Sequence, residues 1–365
     1  MAARRKAVVA ARAVHYPDLS AKAYEHPADR AATAALRAIP GLDTAVRWLI
    51  EQGYERALFQ QNLAASLLVG PDQLPGVWSG WTNVVNALDL PSSSGLPPAL
   101  YVAQDPWLNA MAIGSQNPYV VVTSKLVETA TADELRAVMA HEAGHILSGH
   151  VTYQTALTIL VRASLPSLGP GALPLAAIRL ALLEWFRAAE LSCDRAAALA
   201  VDDPQLVVQM LMVLGAGLPS ASLSLDAFQR QAAEYEDWSD GPDRLRRFVA
   251  NVSRTHPTAV RRASELNRWV ASGEFERVRS GDYARRSEEP GVRENAADAV
   301  GHDADRFRDI FSSAGDSVAK AGSRFQSWLR PAGSASSDAD TSDADGSDVD
   351  GSDVDGSDVD GSREH

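Results

Sequence analysis

The sequence predicts a mainly helical chain with one small antiparallel β-sheet, an α+β architecture followed by an acidic tail. Three observations carry this expectation. Apolar residues recur at helical spacing over most of the stretch from 27 to 270. Extended, β-branched runs are confined to residues 99–103, 109–113 and 119–123. Beyond Pro331 the chain turns to Asp, Gly and Ser and includes three full Gly-Ser-Asp-Val-Asp units.

The first residues, MAARRKAVVAARAVHYPDL, open with Arg4, Arg5 and Lys6, but Arg12 cuts the apolar run that follows. A secretory leader needs a longer one, so an unprocessed, cytoplasmic start is expected, flexible over 1–20. Residues 21–94 form a helical region packing on the core. Pro40-Gly41 divides the helical pattern of 27–69, and Gly70-Pro71 ends it. Trp78, Trp81, Val84 and Val85 mark a short helix whose tryptophans belong to the core, and 91–95 is a loop.

The main domain is expected over 95–280. Its strands are separated by Asp105-Pro106 and by the turn Gly114–Pro118. Thr131 or Thr129 caps the next helix, which carries Asp133 and Glu134 in its first turn and runs into HEAGHILSGH. Residues 151–189 are mostly apolar, in limbs 153–165 and 173–186 that contain Arg162 and Arg179. Neither limb reaches the roughly 20 apolar residues that span a bilayer. Two buried helices are expected, with a hairpin that touches a membrane or covers a cleft as the alternative. Further helical patterns cover 204–214, 243–252 and 258–270. Residues 281–332 read as a linker holding one amphipathic helix, with partner docking through 303–330. Residues 333–365 read as a disordered tail.

The chain has 365 residues, one cysteine and a net charge of −13. A lone cysteine excludes an internally disulfide-stapled scaffold. The charge is uneven: residues 333–365 hold ten Asp and one Glu against one Arg, leaving the body nearly neutral. An acidic chain lacks the cationic excess that phosphate backbones require, so nucleic acid is not an expected partner.

The chemistry centres on His141-Glu142-Ala143-Gly144-His145. Helical residues four apart lie about 40° from each other, so both imidazoles face one way and can share a Zn²⁺ ion. Glu142 lies beside them, within reach of a metal-activated water. A peptidase zinc needs a third protein ligand. Position 151 is Val, where a metzincin would place a third histidine, and His150 would lie about 140° around a continuing helix. His150 is therefore given a supporting or surface role. Glu190 is the better third ligand, and Asp194, one turn later, is placed to orient a ligand histidine. Cys193 between them reads as buried filler.

HEAGH, an apolar insertion and then Glu190-x-x-x-Asp194 resemble the HtpX-like and CaaX-prenyl-protease-like zinc endopeptidases, a branch of the gluzincins. YVVVTSKLVE, the lead-in helix from Ala132 to Ala140, and Thr255-His256-Pro257 with Arg261 are similar to that family's pattern. The resemblance implies a zincin-type metallopeptidase fold with Zn²⁺ as cofactor. It implies an edge strand, here Met111, Ala112 and Ile113, that pairs with a peptide or unfolded-protein substrate. It also implies His256 near the scissile bond, and Arg261 as a supporting residue. The expected protein is a soluble zinc endopeptidase. The alternatives are a zinc-bound peptide-binding or chaperone-like module, and a membrane-associated quality-control protease using 151–189.

Overall fold

The computed structural model describes residues 14–39, 42–50, 55–91, 95–162, 172–237 and 258–289. In chain order these hold α1 (Pro27–Arg37), α2 (Leu42–Leu49), α3 (Glu55–Ala65), β1 (Ser66–Leu68), α4 (Pro75–Ala87), β2 (Leu100–Ala103), β3 (Ala110–Ile113) and β4 (Tyr119–Thr123). There follow α5 (Ser124–Thr129), α6 (Ala132–Leu147), α7 (Val151–Arg162), α8 (Ala172–Val201), α9 (Pro204–Ala216), α10 (Leu225–Asp237), α11 (Ala259–Ala271) and α12 (Glu274–Arg279). The mainly helical expectation with one small sheet holds. The amphipathic stretch 303–330 and the acidic tail lie outside the described residues.

The sheet has the order β1-β2-β4-β3 and is mixed. β3 and β4 form the expected antiparallel pair, but β2 runs parallel to β4, because β3 pairs on the far side of β4 instead of returning to β2. The sequence assigned 66–68 to a helix. A three-residue run carries no period, and its state is set by antiparallel pairing with residues 101–103 of β2. This order leaves β3, with Met111, Ala112 and Ile113, at a sheet edge.

One core cluster joins sheet and helices. Trp81 on α4, Leu100 on β2, Val120 and Val122 on β4 and Met139 on α6 are buried there with Leu199, Leu211 and Leu266. Trp81 is fully enclosed, and its indole N–H donates to the Pro98 carbonyl at 2.8 Å, which satisfies its polar atom. A second cluster packs Ala32 and Leu36 of α1 and Leu42 of α2 against Tyr153 and Leu157 of α7 and Leu182, Trp185 and Phe186 of α8. The described parts of the two apolar limbs, residues 153–160 and 181–186, thus pack against the N-terminal helices. The second limb and the helix around Glu190 are one continuous α8. Among the described residues, no helix is long and apolar enough to cross a membrane.

Segments from both ends of the described chain clasp. Leu19 bridges Arg285, Ser20 N–H donates to the Ala284 carbonyl, and the Tyr16 and Tyr283 rings meet edge-on at 5.8 Å. Residues 14–20, expected to be flexible, bury Tyr16, Leu19 and Ser20. Their clasp partners in 283–289 lie more than 260 residues away in sequence, beyond any local signal.

α6 packs along α8 at Gly144, where a Cβ would stand 2.9 Å from the Ala196 Cβ and 3.2 Å from the Cys193 Cα. Backbone and a second packed side chain cannot both yield to it. We therefore expect Gly144→Ala to destabilise the protein by about 1–3 kcal/mol, read by urea unfolding. An unchanged midpoint would show that the two helices are not held this closely.

Candidate active site

α6 begins with a reciprocal cap. Thr131 Oγ1 accepts from Glu134 N–H at 3.3 Å, and Glu134 Oε2 accepts from Thr131 N–H at 2.8 Å. Three turns on, His141 and His145 stand one turn apart on its buried face, their ring centroids 5.0 Å apart. α8 packs on that face and brings in Glu190 and Asp194, also one turn apart. Glu190 Oε1 lies 3.6 Å from His141 Nε2 and 3.2 Å from His145 Nε2. Two imidazole nitrogens therefore face one carboxylate oxygen, a donor set that suits a borderline-soft divalent metal.

Each histidine is held from behind. His141 Nδ1 is 3.1 Å from Asp194 Oδ1, so Nδ1–H donates to that carboxylate when Nε2 serves a metal. His145 Nδ1 faces His150 Nδ1 at 3.3 Å, and the His145 ring stacks on Phe186 with centroids 5.5 Å apart. α6 stops at Leu147, and Gly149, with φ of 70°, turns the chain so that His150 folds back beneath His145. The 140° offset expected of a continuing helix does not apply. Of the two roles expected for His150, supporting or surface, the structure shows a buried residue against His145.

Arg262 on α11 closes the charge balance. Its Nε and Nη2 donate to Asp194 Oδ2 and Oδ1 at 2.8 and 2.5 Å, and its Nη1 donates to Glu190 Oε2 at 2.7 Å. The arginine expected at the site was Arg261. One residue turns about 100° on a helix, which places Arg262 and not Arg261 against Asp194 and Glu190; the Arg261 backbone N–H donates to the capping Thr258 Oγ1. His256 lies outside the described residues.

Protonation follows the same contacts. Burial pushes His141 down, but the Glu190 charge and the bonds to Asp194 and Glu190 outweigh it and raise it to about 9. Burial drives His145 down to about 3, only partly opposed by its bond to Glu190. Asp194 is raised by burial, yet Arg262 and His141 more than offset this and hold it below its ordinary value.

Among the described residues, His141, His145 and Cys193 also bring one candidate ligand atom each within 4.8 Å of one another. Glu190 differs in presenting one oxygen to the Nε2 atoms of both histidines. Cys193 Sγ lies 3.6 Å from His150 Nδ1, the nitrogen that also faces His145 Nδ1 at 3.3 Å. Burial, with the nearby carboxylates, also keeps its thiol well above the usual range and so protonated.

The edge strand meets this centre at one atom. Ala112 N–H donates to Glu142 Oε2 at 2.8 Å, and Gly114 N–H just beyond donates to Thr155 Oγ1 on α7 at 3.0 Å. Met111 and Ile113 sit opposite Val121 and Tyr119 of β4. Of the three expected edge residues, Ala112 is the one whose N–H reaches Glu142.

The sequence pattern of peptidase family M48 matches residues 81–270, which run from the middle of α4 to the end of α11. Plastoglobule-localized metallopeptidase 48, a chloroplast protein of Arabidopsis thaliana, is 36% identical over 267 residues, covering 71% of this chain and 76% of that protein. A Protease HtpX homolog of Ralstonia pickettii is 27% identical over 216 residues, 51% of this chain and 73% of that protein. One from Dictyoglomus turgidum is 40% identical over 82 residues, 22% of this chain and 26% of that protein. No solved structure matches the chain.

Proposed function

Because the chain belongs to peptidase family M48, a family of metallopeptidases, we propose that it is a zinc-dependent endopeptidase. In this reading His141, His145 and Glu190 hold the metal. The observation that carries it is the single oxygen, Glu190 Oε1, facing both Nε2 atoms while Arg262 occupies Glu190 Oε2. Arg262 thereby orients the carboxylate so that one oxygen is turned to the histidines.

Zn²⁺ bound there supplies Lewis-acid charge, which acidifies a water and polarises a carbonyl. Glu142 takes the proton of the attacking water and later delivers it to the leaving amine. Asp194 holds His141 in the tautomer that leaves Nε2 bare. The substrate, a peptide or unfolded segment, lies extended along β3, where main-chain bonds recognise it with modest side-chain selectivity. Its carbonyl takes Ala112 N–H in place of Glu142 Oε2, so substrate docking and release of the base are one exchange.

Purified wild-type protein should carry one zinc per chain and cleave casein, with cleavage stopped by a chelator and restored by Zn²⁺. Glu190→Ala should weaken zinc binding by more than about 100-fold and show no chelator-sensitive cleavage. Full zinc content in that variant would exclude Glu190 as a ligand. A wild-type protein that binds peptide and zinc without cleaving would be a binding module.

A further inference from the structure

His145 is enclosed as closely on its Nδ1 side as on the side facing Glu190. His150 Nδ1 stands 3.3 Å from His145 Nδ1, and His150 Nε2 stands 3.1 Å from Asp29 Oδ2. Asp29 comes from the first turn of α1, outside the residues 81–270 that match the family pattern, and is fully buried.

We propose that His150 and Asp29 are positioning residues for the metal centre, a two-step hydrogen-bond relay that fixes His145 with Nε2 toward the metal. The proposal rests on the zinc reading above. Two facing ring nitrogens form a bond only when one carries a proton and the other does not. With Nε2 of His145 given to a metal, its Nδ1 is N–H and donates to His150 Nδ1. His150 must then carry its own proton on Nε2, which donates to Asp29. One proton assignment satisfies both rings, and it ends on a carboxylate.

The surroundings of Asp29 fit that direction. Ser192 Oγ–H donates to Asp29 Oδ2 at 2.5 Å, and Thr33 Oγ1–H donates to Oδ1 at 3.2 Å. Each hydroxyl is supplied from behind, Ser192 by His26 N–H at 2.9 Å and Thr33 by the Trp185 indole N–H at 2.8 Å. These backing donors leave both hydroxyl hydrogens to point at Asp29. The rings are sterically held too, with His150 set edge-on to Trp185 at 5.4 Å. His141 reaches the carboxylate of Asp194 directly, and His145 reaches that of Asp29 through His150. Both ligand histidines thus have an anion behind them, one of which α1 supplies.

A ligand histidine backed in this way is a stronger base toward metal, and loss of such a partner weakens affinity by about 10–100-fold. The test compares full-length wild type, Asp29→Asn, His150→Phe and His150→Gln. Zinc dissociation constants are measured by competition with a chromophoric chelator, and visible spectra are recorded on the Co²⁺-substituted proteins. We expect Asp29→Asn and His150→Phe to bind zinc about 10–100-fold more weakly with altered Co²⁺ bands, and kcat to fall with KM nearly unchanged. His150→Gln, which retains a donor and an acceptor, should recover part of the loss. Wild-type affinity and spectra in folded Asp29→Asn and His150→Phe would overturn the relay while leaving the zinc site intact. A wild-type protein without zinc would overturn both readings. Should a variant not fold, imidazole ¹⁵N spectra of zinc-loaded wild type decide. They must show His150 protonated on Nε2 and bare on Nδ1; the opposite tautomer overturns the proposal.

Discussion

Glu142→Gln will keep its zinc and lose peptide hydrolysis by roughly 10²–10⁴-fold, the contribution of a positioned general base. The substitution is nearly isosteric, and the amide oxygen can still accept from Ala112 N–H, now bonded to Glu142 Oε2 at 2.8 Å. Neither the edge strand nor the proposed ligands His141, His145 and Glu190 need to move. Only the capacity to take and return a proton is removed. The comparison requires zinc content, unfolding midpoint and turnover of a quenched fluorescent peptide on the same preparation. Turnover within tenfold of wild type, with zinc bound, would remove Glu142 from the mechanism.

The largest effect on stability is expected at Arg262. Its guanidinium makes three hydrogen bonds to the buried carboxylates of Asp194 and Glu190. Arg262→Met fills a similar volume but leaves both anions without their cation. Breaking a buried ion pair from one side destabilises by about 3–5 kcal/mol. The loss should be greatest in metal-free protein and smaller with zinc, because zinc offsets part of the charge on Glu190. Arg262→Lys should recover part of it, since a lysine restores charge without the planar fork. Arg261→Met serves as the control and should change stability by no more than about 0.5 kcal/mol. Urea unfolding of all three variants, with and without zinc, gives these values. Equal effects at Arg261 and Arg262 would mean that the buried carboxylates are balanced by other means.

The parts of the site that were legible in the sequence are those written locally. His141, Glu142 and His145 follow from helical spacing, and Thr131 with Glu134 marks the start of that helix at short range. Glu190 and Asp194 were readable because two acids one turn apart lie among mostly apolar neighbours on one helix. β4 was visible in its β-branched run. What stayed hidden depends on partners far along the chain. Asp29 reads as an ordinary first-turn acid, and only the approach of His150 and Ser192 makes it part of the centre. The choice between Arg261 and Arg262 is a choice of helix face, decided by how α11 docks on α8. The parallel pairing of β2 with β4 is likewise a property of strand order, which local sequence does not encode.

The late position of Arg262 in the chain bears on when this protein becomes a peptidase. During synthesis from the N-terminus, α6 and α8 emerge with two histidines and two acids before α11 exists. Until α11 docks, burying Asp194 and Glu190 leaves two like charges without the Arg262 cation, which disfavours closing this cluster. The clasp between residues 14–20 and 283–289 forms later still. On the proposed reading, the centre is complete only once the last of its charged partners, Arg262, has been made and has docked.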